Sequence, residues 1–153
     1  MLLCVDIGNT NITFGVFELN EIKRTFKITA QDYSRNKLIK VLGKLKVDNS
    51  IISSVVPRLT VEIEKDLKVI SGRLPLLIGK QRIVPIKNLY RNPKQVGQDR
   101  LVNAYAGIKL YGAHLIIVDF GTAITFDVIS RKKGYLGGMI LPGLLISLEA
   151  LHQ

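Results

Sequence analysis

Apolar residues in the first half of the chain fall into short runs separated by Gly, Pro and Asn. LLCVDIG is a continuous apolar run that predicts a buried strand, and ITFGVFE and IKRTFKI alternate as the strands of an antiparallel meander do. SRNKLIKVLGKL has leucines at helical spacing through Leu45, with Ser34 as the N-cap. SIISSVVP predicts a strand stopped by Pro57, TVEIEKDLKVIS a helix capped by Thr60, and LPLLIG another strand.

The second half begins with a different pattern. Residues 81–98 contain two prolines, a glycine and several asparagines, which predicts a segment that is mostly loop. DRLVNAYAGIKLYG then predicts a helix that stops at Gly112, with four residues facing inward: Leu101, Ala104, Ile108 and Leu110. HLIIVDFG, AITFDVIS and GYLGGMIL predict a second meander, and PGLLISLEALHQ predicts the start of a helix.

A phrase near the start of the chain is repeated in this second half. DIGNTNITF begins at Asp6 and DFGTAITF begins at Asp119, and one deleted residue aligns the two. Each copy reads strand, Asp-x-Gly turn, strand, turn, strand and helix, which predicts a duplicated domain. Because the second copy stops within its first helix, we expect it to be incomplete, with the chain truncated or other chains supplying the remainder.

The repeated turn has the residue types of a phosphate site. Glycine lets the backbone approach a ligand closely, and successive N–H groups with Asn and Thr side chains can cradle phosphate oxygens. A carboxylate in the same place fits if it holds Mg²⁺ that bridges the phosphates. A plain hairpin turn is the alternative for one copy, but two matching copies favour hairpins that face each other and clamp a nucleotide. No Walker loop is present.

A third candidate is VGQDR, where the loop turns into a helix. Asp99 could act as a general base toward a hydroxyl nucleophile, and Arg100 could grip a carboxylate or phosphate at the helix N-terminus. The alternative is an Asp that complements the helix dipole beside a surface Arg. Tyr90 could line the same pocket or could simply pack.

Composition narrows the partners. Apolar residues make up 47% of the chain and charged residues 22%, so it can build a core. The net charge of +10 favours anionic ligands or a solvated basic surface. The sequence lacks a stripe of basic residues interleaved with aromatic ones, so it gives little support to single-strand nucleic-acid binding. No apolar run approaches the roughly 20 residues that span a bilayer, so a cytoplasmic location is expected. Cys4 is expected to be a buried strand residue, and neither His has a metal-ligand partner.

With these residues in view, the chain resembles the type III pantothenate kinases, also called the CoaX family. The motifs that carry the resemblance are DIGNTNITFGVF, SSVVP, YRNPKQVGQDRLVNAYAG, IIVDFGTAITFDVI and YLGGMILPGLLISLEAL. The resemblance implies an α/β ribonuclease-H-like fold of the acetate and sugar kinase, Hsp70 and actin superfamily. It implies a first domain over residues 1–112, with the ATP phosphate loop and the pantothenate segment. Residues 113–153 would begin an incomplete second domain, because family members usually continue well beyond this length.

The resemblance also implies the reaction and its residues. ATP would phosphorylate pantothenate to 4′-phosphopantothenate, the first step of coenzyme A biosynthesis, in the cytoplasm and with no nucleic-acid or membrane partner. The full-length form would be a homodimer. Asp99 would be the general base, Asp119 would bind K⁺ or NH₄⁺, and Asp6 would serve Mg²⁺ through the phosphates. ATP would contact Asp6, Ile7, Gly8, Asn9, Thr10, Asn11, Ile12, Thr13 and Thr122. Pantothenate would contact Tyr90, Gly97, Gln98, Asp99 and Arg100.

Two alternatives stay open at this point. The chain could be a catalytically inactive, shortened homologue that acts as a binding or regulatory protein. It could also be another small-molecule kinase of the same superfamily.

Overall fold

The computed structural model of the protein describes residues 1–112 and 114–152. These residues form two compact units, Met1–Ile83 and Val84–Gln153. The units divide at a different place from the predicted domains 1–112 and 113–153, which stay a prediction. Residues 113 and 153, the ends of the predicted second domain, lie outside the described residues.

The first unit is a five-stranded sheet with two helices. Its elements are β1 (Leu2–Ile7), β2 (Asn11–Glu18), β3 (Glu21–Thr29), α1 (Arg35–Leu42), β4 (Asn49–Ser54), α2 (Pro57–Ser71) and β5 (Leu76–Leu77). The sheet order is β3-β2-β1-β4-β5. β1, β2 and β3 pair antiparallel as the meander predicted, whereas β4 pairs parallel to β1 and to β5.

The core of this unit lies on one face of its sheet. Alternate residues of β1 and β2 are buried, including Leu3, Val5 and Phe14, because successive strand side chains point to opposite faces. The same buried cluster includes Leu38 and Leu42 from α1 and Ile63 and Leu67 from α2. Each such side chain contributes roughly 1.5–3 kcal/mol by leaving water, so both helices are held mainly by this face.

Two helix boundaries in the first unit test the capping predictions. Ser34 is the N-cap of α1 as predicted, since its Oγ accepts a hydrogen bond from the Lys37 N–H at 3.2 Å. The predicted cap at Thr60 is wrong, because α2 already begins at Pro57, and proline suits the first helical turn. The α1 helix ends at Leu42, so Leu45 lies outside it.

The second unit contains an irregular segment, two helices and a separate three-stranded sheet. A short 3₁₀ turn spans Pro93–Gln95, and the elements are α3 (Gln98–Tyr111), β6 (Leu115–Phe120), β7 (Ala123–Ser130), β8 (Gly134–Pro142) and α4 (Leu144–His152). The strands pair antiparallel in the order β6-β7-β8, which confirms the second meander. No helix in the described ranges is long and apolar enough to cross a membrane.

The α3 helix shows which predicted inward positions hold. Leu101 and Ala104 are buried, and Gly112 ends the helix in the left-handed conformation, as predicted. Leu110 is exposed, so its inward assignment was wrong. Gly107 packs inward instead, because a Cβ there would lie 2.8 Å from Ile117 Cδ1.

The two meanders repeat each other in detail. Asp6 faces Thr13 across β1 and β2, and Asp119 faces Thr125 across β6 and β7. The register of each meander also shifts at the matched step, between Val16 and Phe17 in one and between Val128 and Ile129 in the other. A bulge at the same step of both copies is expected if one structural unit was duplicated.

Candidate functional site

The turn between β1 and β2 is the first predicted phosphate-binding hairpin. The Gly8 N–H donates to the Asn11 carbonyl at 3.0 Å, and a Cβ on Gly8 would lie 3.2 Å from that oxygen. Asp6, Asn9, Thr10 and Asn11 are exposed around this tight turn. The exposed polar groups could therefore meet an anionic ligand from solvent.

Two other residues assigned to ATP can contribute only their backbone. Ile7 and Ile12 are fully buried in the core of the first unit. Thr13 is half-buried opposite Asp6, on the other face of β2 from Ile12. Any ligand at this hairpin would therefore use main-chain N–H groups together with the exposed Asp, Asn and Thr side chains.

The turn between β6 and β7 has the same construction with one residue fewer. The Gly121 N–H donates to the Ala123 carbonyl at 3.0 Å, which matches the Gly8 bond in the first hairpin. The Gly143 N–H donates to the Thr122 carbonyl at 3.1 Å, and the Ala30 N–H donates to the Thr10 carbonyl at 2.8 Å. The two turns thus use the same backbone bonds, although their side chains differ.

Asp119, the predicted cation ligand, lies near the end of β6 with an exposed carboxylate. The Asn103 amide on α3 donates to Asp119 Oδ2 at 3.4 Å, a contact that the sequence did not predict. Carboxylate oxygen is a suitable ligand for a hard cation such as Mg²⁺ or K⁺. In the described ranges no three His, Cys, Asp or Glu side chains group as a metal site, so other oxygen ligands would have to complete this one.

Asp99 and Arg100 lie in the first turn of α3, both half-buried. The Arg100 N–H donates to Asp99 Oδ1 at 2.8 Å, which satisfies one of the free N–H groups of the helix end. The Arg100 side chain turns toward the sheet, where Nε donates to Asp127 Oδ1 at 2.8 Å and Nη2 lies 2.6 Å from the same oxygen. Arg100 is therefore part of an ion pair and not a free surface arginine.

Asp127 is the buried centre of this contact, with 1% of its side chain exposed, against 13% for Arg100. Tyr135 Oη donates to Asp127 Oδ1 at 2.7 Å, so one carboxylate oxygen receives three donors. Burial, followed by the hydrogen bond and charge of Asp127, raises the pKa of Tyr135. Burial acts to lower the pKa of Arg100, but the bond and charge of Asp127 outweigh it and the pKa is raised.

Two glycines of β8 make room for this network. A Cβ on Gly138 would lie 1.8 Å from the Phe126 carbonyl oxygen and 2.6 Å from Arg100 Nη2. Gly137 has φ +137, and a Cβ there would lie 3.1 Å from the Tyr90 ring. Both positions therefore need glycine, and Tyr90 lies directly over the strand.

The loop before α3 is attached to the same strand. The Leu89 N–H donates to the Tyr135 carbonyl, and the Tyr135 N–H donates to the Lys87 carbonyl, each at 2.9 Å. This pairing holds Tyr90 beside β8. Tyr90 and Arg100, two of the residues assigned to pantothenate, therefore both lie against this strand, at Gly137 and Gly138 respectively.

The sequence reasoning missed Asp127 and Tyr135. Asp127 is the one charged residue of β7, and the residue that matches it in the first copy is Gly15. An aspartate in one repeat where the other has glycine could have indicated a buried polar group. Tyr135 had no comparable sign, because a tyrosine at a strand start is common.

Comparisons with known proteins identify one family. A family model described as type III pantothenate kinase matches residues 2–153. Curated relatives with that name, from Persephonella marina and Geobacter sulfurreducens, are 45% and 44% identical over the whole chain. A third, from Finegoldia magna, is 44% identical. The chain spans 62–64% of the length of these relatives.

Solved structures share the fold at lower identity. A Campylobacter jejuni protein described as a conserved Baf family transcriptional activator has a TM-score of 0.57 at 23% identity, covering 99% of this chain and 60% of its own. A Sinorhizobium meliloti protein described as a 2-dehydro-3-deoxygalactonokinase has a TM-score of 0.56 at 16% identity, covering 100% and 57%. These similarities, with the mixed five-stranded sheet and the helices described above, confirm the predicted α/β ribonuclease-H-like fold.

Proposed function

Because the chain belongs to the type III pantothenate kinase family, we propose that it carries part of the machinery that phosphorylates pantothenate with ATP, the first step of coenzyme A biosynthesis. The observation that carries the proposal is the family match over residues 2–153. The repeated Asp-Gly hairpins support it, since both place a tight glycine turn beside an exposed carboxylate.

The first hairpin is proposed to bind the ATP phosphates. Backbone N–H groups at the tip of the turn, apart from the Gly8 N–H that donates to the Asn11 carbonyl, would donate to phosphate oxygens, and Asn9, Thr10 and Asn11 would add side-chain donors. The exposed Asp6 carboxylate fits the oxygen ligands that Mg²⁺ prefers, and it would hold the ion together with the phosphates. Such an ion neutralises charge on the transferring phosphoryl group.

Asp99 is proposed as the general base. Its Oδ2 would accept the proton of the pantothenate hydroxyl as the hydroxyl oxygen bonds to the γ-phosphorus and the bond to ADP breaks. Oδ1 already accepts the Arg100 N–H, which orients the carboxylate. The base is thus held on the first turn of a helix and not on a free loop.

Arg100 and its neighbours are proposed to position pantothenate. Asp127 holds the Nε and Nη2 side of the guanidinium, so we expect Nη1 to meet the substrate carboxylate. Tyr90, over β8, and the helix-start residues Gly97 and Gln98 would line the same site. A binding residue fixed in this way loses less side-chain entropy when the substrate arrives.

The second hairpin is proposed to serve ATP and a monovalent cation. Asp119 would supply a carboxylate oxygen to K⁺ or NH₄⁺, and Thr122 would contact ATP. A cytoplasmic location, a homodimeric assembly and the absence of nucleic-acid and membrane partners belong to the same proposal. The homodimer rests on the family, and the location and the absence of those partners rest on the composition of the chain.

The test is an ATP-dependent pantothenate phosphorylation assay on this chain. A fusion that adds the stretch following the match in the Persephonella marina relative is assayed beside it, with hexoses as competing acceptors. Phosphorylation of pantothenate by either protein supports the proposal. Hexose phosphorylation alone would replace it with a sugar kinase, and no turnover by both would leave a binding or regulatory role.

Two variants test the residue roles in the active form. Asp99→Asn should leave the Kd for ATP nearly unchanged and reduce kcat by about 10²–10⁴-fold, whereas Glu18→Gln, an exposed acid elsewhere, should change neither. Undiminished turnover in Asp99→Asn would refute the general base. Replacing K⁺ with Na⁺ should weaken ATP binding, and Asp119→Asn should abolish that difference if Asp119 holds the cation.

A further inference from the structure

The position of Lys27 on β3 follows from the side chains on either side of it. Phe26 packs against the core of the first unit and Ile28 is 2% exposed, so both neighbours of Lys27 face the core. Successive strand side chains point to opposite faces, so Lys27 lies on the face opposite the core, here called the outer face, where it is exposed. Just beyond β3 the Ala30 N–H donates to the Thr10 carbonyl at 2.8 Å, which ties this strand to the first hairpin.

Lys27 belongs to a polar row that crosses the outer face over four strands. Asp6 pairs with Thr13 across β1 and β2, and Thr13 pairs with Lys27 across β2 and β3. On its other side Asp6 pairs with Ser53 of β4. Ser53 is buried, whereas Asp6 and Lys27 are exposed and Thr13 is half-buried between them. The row is therefore accessible to a ligand from Asp6 to Lys27.

The phosphate site proposed at this hairpin needs a positive charge that its own residues do not supply. Residues 6–13 contain no Lys or Arg, and their one charged side chain is the Asp6 carboxylate. ATP carries more negative charge than one Mg²⁺ neutralises, and Asp6 makes that excess larger. Because neighbouring strands lie about 5 Å apart, the Cα atoms of Asp6 and Lys27 are about 10 Å apart. The flexible stem of a lysine can bring its ammonium group back over Thr13.

The second hairpin has no charge at the matched position. Thr125 pairs with Ile140 across β7 and β8, as Thr13 pairs with Lys27. An ammonium group there would repel the monovalent cation proposed at Asp119, whereas an isoleucine does not. The difference between the two copies therefore agrees with the separate roles proposed for the two hairpins.

Resting on the proposed phosphate site, we propose that Lys27 is a further residue of that site, whose ammonium group binds the triphosphate of ATP beside the Mg²⁺ at Asp6. It has the role of the lysine that contacts the phosphates in other phosphoryl-transfer sites, but it comes from a neighbouring strand. Lys23 of the same strand is not suited to this role, because it lies four residues away, about 13 Å along β3. It also forms an ion pair with Glu21 at 2.7 Å.

The binding test measures the Kd for Mg·ATP and for Mg·tripolyphosphate by isothermal titration calorimetry, with the chain and with the fusion described above. Lys27→Gln should weaken the binding of both ligands by about tenfold to a hundredfold, the range for one lost hydrogen bond between charged groups. Lys27→Arg keeps the charge and should recover most of the loss. Lys23→Gln is the matched control on the same strand and should bind both ligands normally.

Acetylation of lysines, followed by mass spectrometry, tests the contact in the unchanged protein. Mg·ATP should slow the acetylation of Lys27 and leave that of Lys23 unchanged, because a bound phosphate shields only the first amine. Equal acetylation of Lys27 with and without Mg·ATP would overturn the proposal.

The binding data separate the remaining explanations. β3 is an edge strand, where a lysine can serve only to block pairing with other chains. Normal binding by Lys27→Gln would leave that role and overturn the proposal. Weaker binding of ATP but not of tripolyphosphate would also overturn it, because the contact would then be with the nucleoside. If the unchanged chain and the fusion bind neither ligand, the proposed phosphate site fails as well, so the two failures can be told apart.

Discussion

The buried ion pair between Arg100 and Asp127 gives the sharpest prediction for stability. Asp127→Asn keeps the volume and one acceptor oxygen but removes the charge, and it leaves the Arg100 guanidinium, 13% exposed, without a counter-ion. Breaking a buried pair in this way costs about 3–5 kcal/mol, mostly through the uncompensated charge. The variant should lose about that much free energy of unfolding.

The first unit offers a matched control with similar chemistry. Asp66 Oδ1 accepts from Arg35 Nε at 2.6 Å and Asp66 Oδ2 accepts from Tyr33 Oη at 3.0 Å. Arg35 is 46% exposed, so water can solvate it when the charge of Asp66 is removed. Asp66→Asn should therefore cost less, about 1–2 kcal/mol.

The assay is urea unfolding followed by far-ultraviolet circular dichroism, with hydrogen exchange in α3 to assign the loss to the second unit. The double variant Arg100→Met with Asp127→Asn should lose less free energy of unfolding than the two single variants together. The difference, which is the coupling energy of the pair, should be about 1–3 kcal/mol. Equal costs for the Asp127 and Asp66 variants, or full additivity, would refute the reasoning.

Three further predictions concern single contacts. Gly138→Ala should destabilise the second unit by about 1–3 kcal/mol in urea unfolding, because its Cβ would meet the Phe126 carbonyl at 1.8 Å, while Gly121→Ala, with its nearest contact at 3.6 Å, should be tolerated. The raised pKa of Tyr135 means that its neutral form contributes stability, which is fully present below the ordinary tyrosine pKa of 10.0 and is lost as the pH rises through the raised pKa. The free energy of unfolding of Tyr135→Phe should therefore fall less steeply above pH 10 than that of the unchanged protein. Ser34→Ala should cost about 1 kcal/mol by the same assay, and no change would remove the cap assignment.

The sequence predicted most elements because each has a local physical signal. Ser34 could be identified as a cap because it directly precedes a segment with leucines at helical spacing. Both meanders could be identified because apolar and polar residues alternate along their strands. The error at Thr60 also has a local cause: Pro57 was interpreted as ending a strand, but proline equally suits the first helical turn. The choice between those two depends on tertiary packing.

What the sequence could not supply is which face of a strand is covered. Val118 and Phe126 alternate as core residues do, and their matches in the first unit are core, yet here they belong to a sheet face that is mostly exposed. The other face of that sheet packs against α3 and holds Asp127. Periodicity separates the two faces of a strand, but only the neighbouring elements decide which one is buried.

The order of strands along the chain sets the order of events in folding. Each pairing in the second sheet joins strands that are consecutive in the chain. In the first sheet β1 pairs with β4, which follows it only after β2, β3 and α1. Sheets built from such local pairings form quickly. The second sheet should therefore close soon after its residues are synthesised and then persist with a bare apolar surface. Because such a surface favours association when chains collide, the yield of usable protein would depend on chain concentration more than on intrinsic folding speed.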